Sequence, residues 1–246
     1  MIKLKKIAFF IFLFSTIISC KKENLGDCFK STGEIVLEQR QIPSFESLEL
    51  HDRINLFVSF GTEISLTIEA GENLLEHIET EVKNNILIIK NNNRCNWVRS
   101  FKKEMNVYLT APSIKGINHF GSGELRFRDT LTRERFTFNM YEASGDGYLL
   151  LNTQQAELKT HTGTGTITAK GKVDYLVAFV GGNGFVDASA VEGKRGLAVA
   201  VNTGYIRINV SEELEATISG TGNIEYYGNP VIDLSDTGGG KLIKRD

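Results

Sequence analysis

From residue 121 onwards, short apolar runs alternate with pairs of glycines. Gly121-Ser122-Gly123-Glu124-Leu125 is followed by Gly145-Asp146-Gly147-Tyr148-Leu149, Gly163-Thr164-Gly165-Thr166-Ile167 and Gly182-Asn183-Gly184-Phe185-Val186. Two further copies are Gly220-Thr221-Gly222-Asn223-Ile224 and Gly238-Gly239-Gly240-Lys241-Leu242. A degenerate copy, Gly204-Tyr205-Ile206-Arg207-Ile208, keeps the first glycine and loses the second. In all seven an aliphatic residue stands four positions after the first glycine, and successive first glycines are 24, 18, 19, 22, 16 and 18 residues apart. The runs between them, such as Tyr175-Leu176-Val177-Ala178-Phe179-Val180 and Leu197-Ala198-Val199-Ala200-Val201, are rich in β-formers and free of proline, which predicts strands. A unit of about twenty residues with short strands and a glycine corner is what one coil of a β-solenoid requires. Coils then stack at the strand spacing with their inward aliphatic residues in shared columns. Glycine suits the corners because a Cβ there would meet the neighbouring coil or demand a forbidden φ.

The first hundred residues are less regular. Glu63 to Glu69 alternates cleanly and predicts a half-buried strand, and Ile86 to Ile89 predicts a buried one. Between them, Glu72 to Lys83 places Leu74, Leu75, Ile78 and Val82 on one helical face, predicting a short amphipathic helix that covers the end of the solenoid. Residues 30–110 therefore read as an N-terminal β lobe and cap with a short helix, and residues 111–246 as the coils. Only three prolines occur in the chain, and no hinge separates the two parts.

The N-terminus changes the address rather than the fold. Lys3, Lys5 and Lys6 precede an apolar run from Ile7 to Ile18 that is too short to span a bilayer, which predicts an export signal over residues 1–19. The run ends in Ile17-Ile18-Ser19-Cys20, which resembles the bacterial lipobox. Cys20 is then the lipid attachment site, residues 20–29 a tether, and the chain an outer-membrane lipoprotein facing the periplasm or the exterior; the alternative is a cleaved secretory signal with Cys20 an ordinary thiol. In an oxidising compartment the remaining pair, Cys28 and Cys95, is expected to form a disulfide rather than a metal site. Such a link would contribute roughly 4 kcal/mol by the chain-entropy argument. Without the three leader lysines the chain is acidic, with 30 Asp and Glu over the whole sequence, and no basic stripe suggests nucleic acid.

Several stretches taken together resemble a known family: Phe45-Glu46-Ser47-Leu48-Glu49-Leu50, then LTIEAGENLLEHIETEV, MNVYLTAP, Gly116-Ile117-Asn118 and the recurring G-x-G-x-[aliphatic]. In order and spacing, over about residues 30–245, they resemble the auto-transporter adhesin head domain known as the head GIN domain. The resemblance implies a β-helical fold of stacked coils, with right-handed winding, and an envelope location. It supplies no catalytic residues.

Candidate chemistry is sparse. Asp146, Asp187 and Glu124 lie near corners, but the glycine register does not place them in equivalent positions of consecutive coils, as a shared catalytic row would favour. Gly181 to Asp187 is close to a calcium-binding nonapeptide with its aspartate one residue late. His51, His77, His119 and His161 are far apart and read as surface residues without ligand-spaced partners, so neither a metal nor another cofactor is expected. The glycine pairs lack the following helix of a phosphate site. Tyr141, Tyr148, Phe185, Tyr205, Tyr226 and Tyr227 lie beside corners, where exposed rings along one face would stack on sugars. The sequence thus predicts a non-enzymatic, lipid-anchored β-solenoid with a glycan or protein ligand. The alternatives are a polysaccharide-active β-helix enzyme, which needs clustered Asp or Glu with Lys or Arg in a groove, and a structural or signalling accessory of the envelope.

Overall fold

The alternation of inward and outward residues is realised as parallel strands stacked in register. The computed structural model describes residues 31–93 and 104–246. Cys20, Cys28 and Cys95, and with them the expected anchor and disulfide, lie outside the described residues. The N-terminal part contains β1 (Ile35–Arg40), β2 (Ser47–Leu50), β3 (Asn55–Phe60), β4 (Ser65–Gly71), a short helix α1 (Glu72–Leu75), β5 (Ile78–Lys83), β6 (Ile86–Asn91) and β7 (Asn106–Ala111). The coils follow as β8 (Gly116–His119), β9 (Leu125–Phe127), β10 (Leu131–Met140), β11 (Gly147–Thr160), β12 (Thr166–Val180), β13 (Phe185–Ala200), β14 (Ile206–Ile218), β15 (Ile224–Tyr227), β16 (Val231–Asp236) and β17 (Leu242–Lys244).

Each long strand serves two faces. The first part of β11 pairs with β9, which pairs with β3 and through it with β7, while the first part of β14 pairs with β15 and then β17. The second parts of β10 to β14 continue a different ladder that begins at β6, β2 and β8 and ends at β16. Between the two parts the period-two alternation slips by one position. Residues 134–135, 154–155, 174–175 and 194–195 are consecutive outward pairs, and this slip is the bend between the faces. Because β8 and β9 pair directly with β2 and β3, the N-terminal strands and the coils form one continuous ladder.

The core is a set of columns. On the second face Ile117, Phe138, Leu158, Ala178, Ala198 and Ala216 stand in register and are buried. Opposite them run Leu56, Leu125, Gly147, Ile167, Val186, Ile206 and Ile224. Gly147 is thus a strand residue rather than a corner: a Cβ there would stand 2.5 Å from the Phe138 ring, so the large side chain of one face fills the space left by the glycine of the other.

The glycine register also differs from the one expected. The continuous column is Gly123, Gly145, Gly165, Gly184, Gly204, Gly222 and Gly240. A Cβ at any of them would lie 1.8 to 2.8 Å from a carbonyl oxygen of the preceding coil. The degenerate copy has therefore kept its second glycine, not its first, and Asn202 takes the first position. Ala143 does the same one coil after Gly121, bridging to Gly163. Gly163, Gly182, Gly220 and Gly238 complete that first column.

The helix expected over residues 72–83 stops after one turn. Ile78 to Lys83 is instead an antiparallel partner of β6. Asn84 and Asn85, at φ +51° and +64°, form the two-residue turn of that hairpin, a geometry asparagine tolerates and most residues do not. β5 closes the second face antiparallel to β6, and β4 with β1 closes the first. At the other end β16 is exposed along its length, including Val231, Ile232 and Leu234.

Candidate functional site

The outer surface of the first face carries the richest array of side chains, and they are bound to one another. Tyr108 donates to Glu69 at 2.7 Å and Asn106 donates to the same oxygen at 3.0 Å. The Asn106 and Tyr108 donors hold the Glu69 carboxyl below its usual range, and the same contact raises the Tyr108 phenol. The Arg128 guanidinium lies over Phe57 and Tyr108, 5.0 and 4.8 Å from their centroids. Further along, Arg126 donates to Glu124 at 2.7 Å and covers the Tyr148 ring at 4.0 Å. Glu225 binds both Arg245 and Arg207, and the Arg245 contact foremost keeps its carboxyl low. Asp187 accepts from the Ser189 amide and hydroxyl and from Arg207, which leaves it in a side-chain network rather than a calcium loop.

The aromatic candidates do not form one stripe. Tyr148, Phe185 and Tyr205 share the first face, where Phe185 and Tyr205 pack at 4.4 Å and Arg207 lies over Tyr205 at 5.0 Å. Tyr226 is in register with the buried Ile208 and packs against the core, while Tyr227 ends β15 half-buried. Tyr141 stands at the corner that follows the second face, in a stack running along the solenoid. His51 lies 4.6 Å from Phe120, Phe120 5.4 Å from Tyr141, and Tyr141 4.4 Å from His161, all nearly parallel. Both faces of Tyr141 are therefore covered by protein rings, leaving its edge and hydroxyl outward.

His119, expected at the surface, is instead fully buried two residues before Gly121, and neither ring nitrogen has a hydrogen-bond partner. Burial, with a smaller contribution from His51, pushes its pKa down to about 4, so the ring is neutral in the fold. The corner carboxylates also depart from expectation. The ladder register puts Glu124 and Asp146 in equivalent positions of consecutive coils, where with Arg53 and Glu104 they line a hollow of about 250 Å³. Asp146 is committed to the backbone amide of Thr166 at 2.9 Å and Glu124 to Arg126, so this pair pegs coils and side chains together. Among the described residues no group of three or more His, Cys, Asp or Glu is arranged to hold a metal.

A larger concavity than this hollow lies elsewhere, along the bend. A groove of about 620 Å³ follows the column Arg133, Thr153, Val173 and Gly193, one residue from each of four successive coils. At strand spacing the column is about 14 Å long. One wall is the column Thr132, Asn152, Lys172 and Glu192; the other carries Gln154, Asp174 and Lys194. Lys172 pairs with Glu192 at 3.3 Å and Lys194 with Asp174 at 2.7 Å, each across adjacent coils. A second hollow of about 460 Å³, sharing Gln154 and Asp174, adds Glu134, Arg135, Tyr175 and Arg195. The sequence did contain a signal for this groove: outward polar pairs led by Glu134, Gln154, Asp174 and Lys194 recur every twenty residues, in phase with the coils.

The model of the family described as "Putative auto-transporter adhesin, head GIN domain" matches residues 44–230. The fold is shared with a solved "putative adhesin" from Bacteroides fragilis NCTC 9343, 23% identical, which covers 88% of this chain and 100% of that one at a TM-score of 0.81. It is shared too with a "putative lipid binding protein" from Parabacteroides distasonis ATCC 8503, 19% identical, with 88% and 100% covered and a TM-score of 0.72. A "putative adhesin" from Parabacteroides merdae ATCC 43184, 16% identical, covers 87% and 97% at 0.69. No curated protein matches the sequence.

Proposed function

We propose a recognition function for this chain, which belongs to the putative auto-transporter adhesin, head GIN domain family: an adhesin-like β-solenoid, held to the cell envelope by lipid at Cys20, that binds its ligand without transforming it. The bend groove carries this reading. The groove is an open concavity of about 620 Å³ lined by side chains from several successive coils, most of them polar residues. The three acids along the bend are exposed and each is ion-paired with a neighbouring cation, Glu192 and Asp174 with 74% and 51% of their side chains accessible.

The enzyme reading retains one observation: Asp174 and Glu192 beside Lys172 and Lys194 are the residue types a polysaccharide-cleaving groove uses. One experiment separates the two. The full chain in mild detergent is placed on a glycan and extracellular-matrix array, and the supernatants are analysed for released oligosaccharide. Retained ligand with no product is the expected result; product accumulating with time would replace recognition by catalysis. Mass spectrometry of the envelope form should find acyl chains on Cys20, and Cys20→Ala should release the protein into the soluble fraction.

A further inference from the structure

We propose that the bend groove binds a carboxylated polysaccharide, with Arg133 and Arg195 anchoring its carboxylates. This rests on the recognition reading above and names the ligand class for the same site. The groove and the hollow beside it are lined by five cationic side chains, Arg133, Arg135, Lys172, Lys194 and Arg195, and by three acids. All three acids are matched: Glu192 by Lys172, Asp174 by Lys194 and Glu134 by Arg135 at 3.8 Å. Arg133 and Arg195 have no carboxylate within ion-pair distance among the described residues. Arg195 lies 5.9 Å over the Tyr175 ring, and Arg133 donates to the Ser113 hydroxyl at 3.0 Å.

Two buried polar atoms at this groove lack partners, Nε of Arg133 and Oγ1 of Thr153, the latter on a residue only 6% exposed. Buried polar atoms are almost always satisfied, so unpaired ones on the lining of a concavity point to a ligand or water that completes them. A planar guanidinium matches a carboxylate with two parallel hydrogen bonds, which a neutral sugar does not offer.

The remaining lining selects a glycan over an acidic peptide. Thr132, Asn152, Gln154 and Ser211 supply hydroxyl and amide groups that both donate and accept, as sugar hydroxyls require. Val173, the one apolar residue lining the groove, is 1% exposed and belongs to the core, so the groove offers no apolar pocket for peptide side chains. The groove also lies across strands already paired on both sides, where a peptide cannot add as a further strand.

The test is titration calorimetry of the full chain with three polymers: polygalacturonate, its fully methyl-esterified form and poly-L-glutamate. Polygalacturonate should bind, more weakly as salt rises, and the other two should not. Arg133→Gln with Arg195→Gln should weaken binding about tenfold or more, the loss expected for hydrogen bonds to a charged group. Arg195→Gln alone, at an exposed position, should still weaken it severalfold, so any misfolding of the Arg133 variant leaves the test intact. Asp174→Asn, which frees Lys194, should strengthen it about threefold. Equal binding of the ester would overturn the carboxylate assignment, and equal binding of polyglutamate would overturn the glycan assignment. Failure of all three polymers would overturn the inference; array ligands bound by the same preparation would then leave the recognition reading standing, and an empty array would remove that too.

Discussion

The glycine seam and the bend are the two places where every coil changes direction, and they are built in opposite ways. At the seam, backbone meets backbone: Gly145, Gly165, Gly204 and Gly222 sit so close to the previous coil that a Cβ would fall about where a carbonyl oxygen already is. At the bend, the chain turns by slipping one position in the inward and outward alternation, and side chains of every kind fit there, from Glu134 and Gln154 to Asp174 and Lys194. Geometry dictates the residue in the second glycine column of the seam and leaves it free at the outward pairs of the bend, though not in the column beside them, where a Cβ on Gly193 would stand 2.7 Å from the Asn209 oxygen. A solenoid that must recognise something can therefore vary its bend from coil to coil without disturbing the stack.

The largest effect should come from the seam. Gly204→Val places a branched side chain where even a Cβ would come 2.0 Å from the Gly184 oxygen and 2.6 Å from a Val180 methyl. A loss of about 3 kcal/mol or more is expected in urea unfolding, since neither backbone can retreat without opening the ladder on both sides. Gly239→Ala is the internal control. It occupies the same corner, but its Cβ would meet only a Thr221 methyl at 3.7 Å, and stability should move by less than about 0.5 kcal/mol. Equal effects at the two positions would mean that the whole corner, rather than one column of it, is intolerant.

Next in size is a dependence on pH stored beside the seam. His119 is neutral in the fold with its pKa pushed down to about 4 from an ordinary value near 6.5. The folded state thus binds fewer protons than the unfolded one between these values. Stability is fully present above pH 6.5 and falls as the pH drops through that window, by up to about 3 kcal/mol. His51, stacked on Phe120 nearby, adds to this depression and Asp146 opposes it. His119→Leu should flatten the acid limb of the stability curve, measured by urea unfolding from pH 7.5 to 4. An unchanged limb would place the acid sensitivity elsewhere.

These contrasts explain what was legible in the chain. The glycine period and the apolar runs gave the solenoid, because a column that accepts only glycine must repeat in the sequence. The phase of that column was not legible, since Ala143 and Asn202 stand in the first column in place of glycine, and a nearby Gly147 serves Phe138 instead. That one displacement hid the equivalence of Glu124 and Asp146. The helix over residues 72–83 was misread because Ile78 and Val82 satisfy both periods, and the Asn84-Asn85 turn, which decides between them, lies just beyond. The aromatic candidates were found by proximity to corners, a criterion blind to the partner covering each ring. The groove residues escaped because a polar pair every twenty residues carries no chemistry until the bend lines them up.

A smaller effect lies between the two extremes. Tyr141 stands at the seam but contributes by side-chain stacking, between Phe120 and His161. Tyr141→Ala should lower stability by about 1.5 kcal/mol, the scale of aromatic stacking with some lost burial, and Tyr141→Phe should recover most of it because the hydroxyl is not what the stack uses. Failure of Phe to restore stability would assign the effect to that hydroxyl and give the corner a polar role.

The smallest effect is expected at the bend and is the most informative about function. Gln154 is exposed, lines both hollows and sits between Glu134 and Asp174 along the solenoid. No described side chain depends on it for an ion pair, and its position in the slip is satisfied by any residue that tolerates water. Gln154→Ala should therefore leave urea unfolding within about 0.5 kcal/mol of the parent. If it does, the freedom of the bend is real at its centre, and any ligand contact made there is carried by side chains the fold does not need. A loss comparable with that of Gly204→Val would mean instead that the bend is held as tightly as the seam, and the opposition between the two edges would fail at the position chosen to show it.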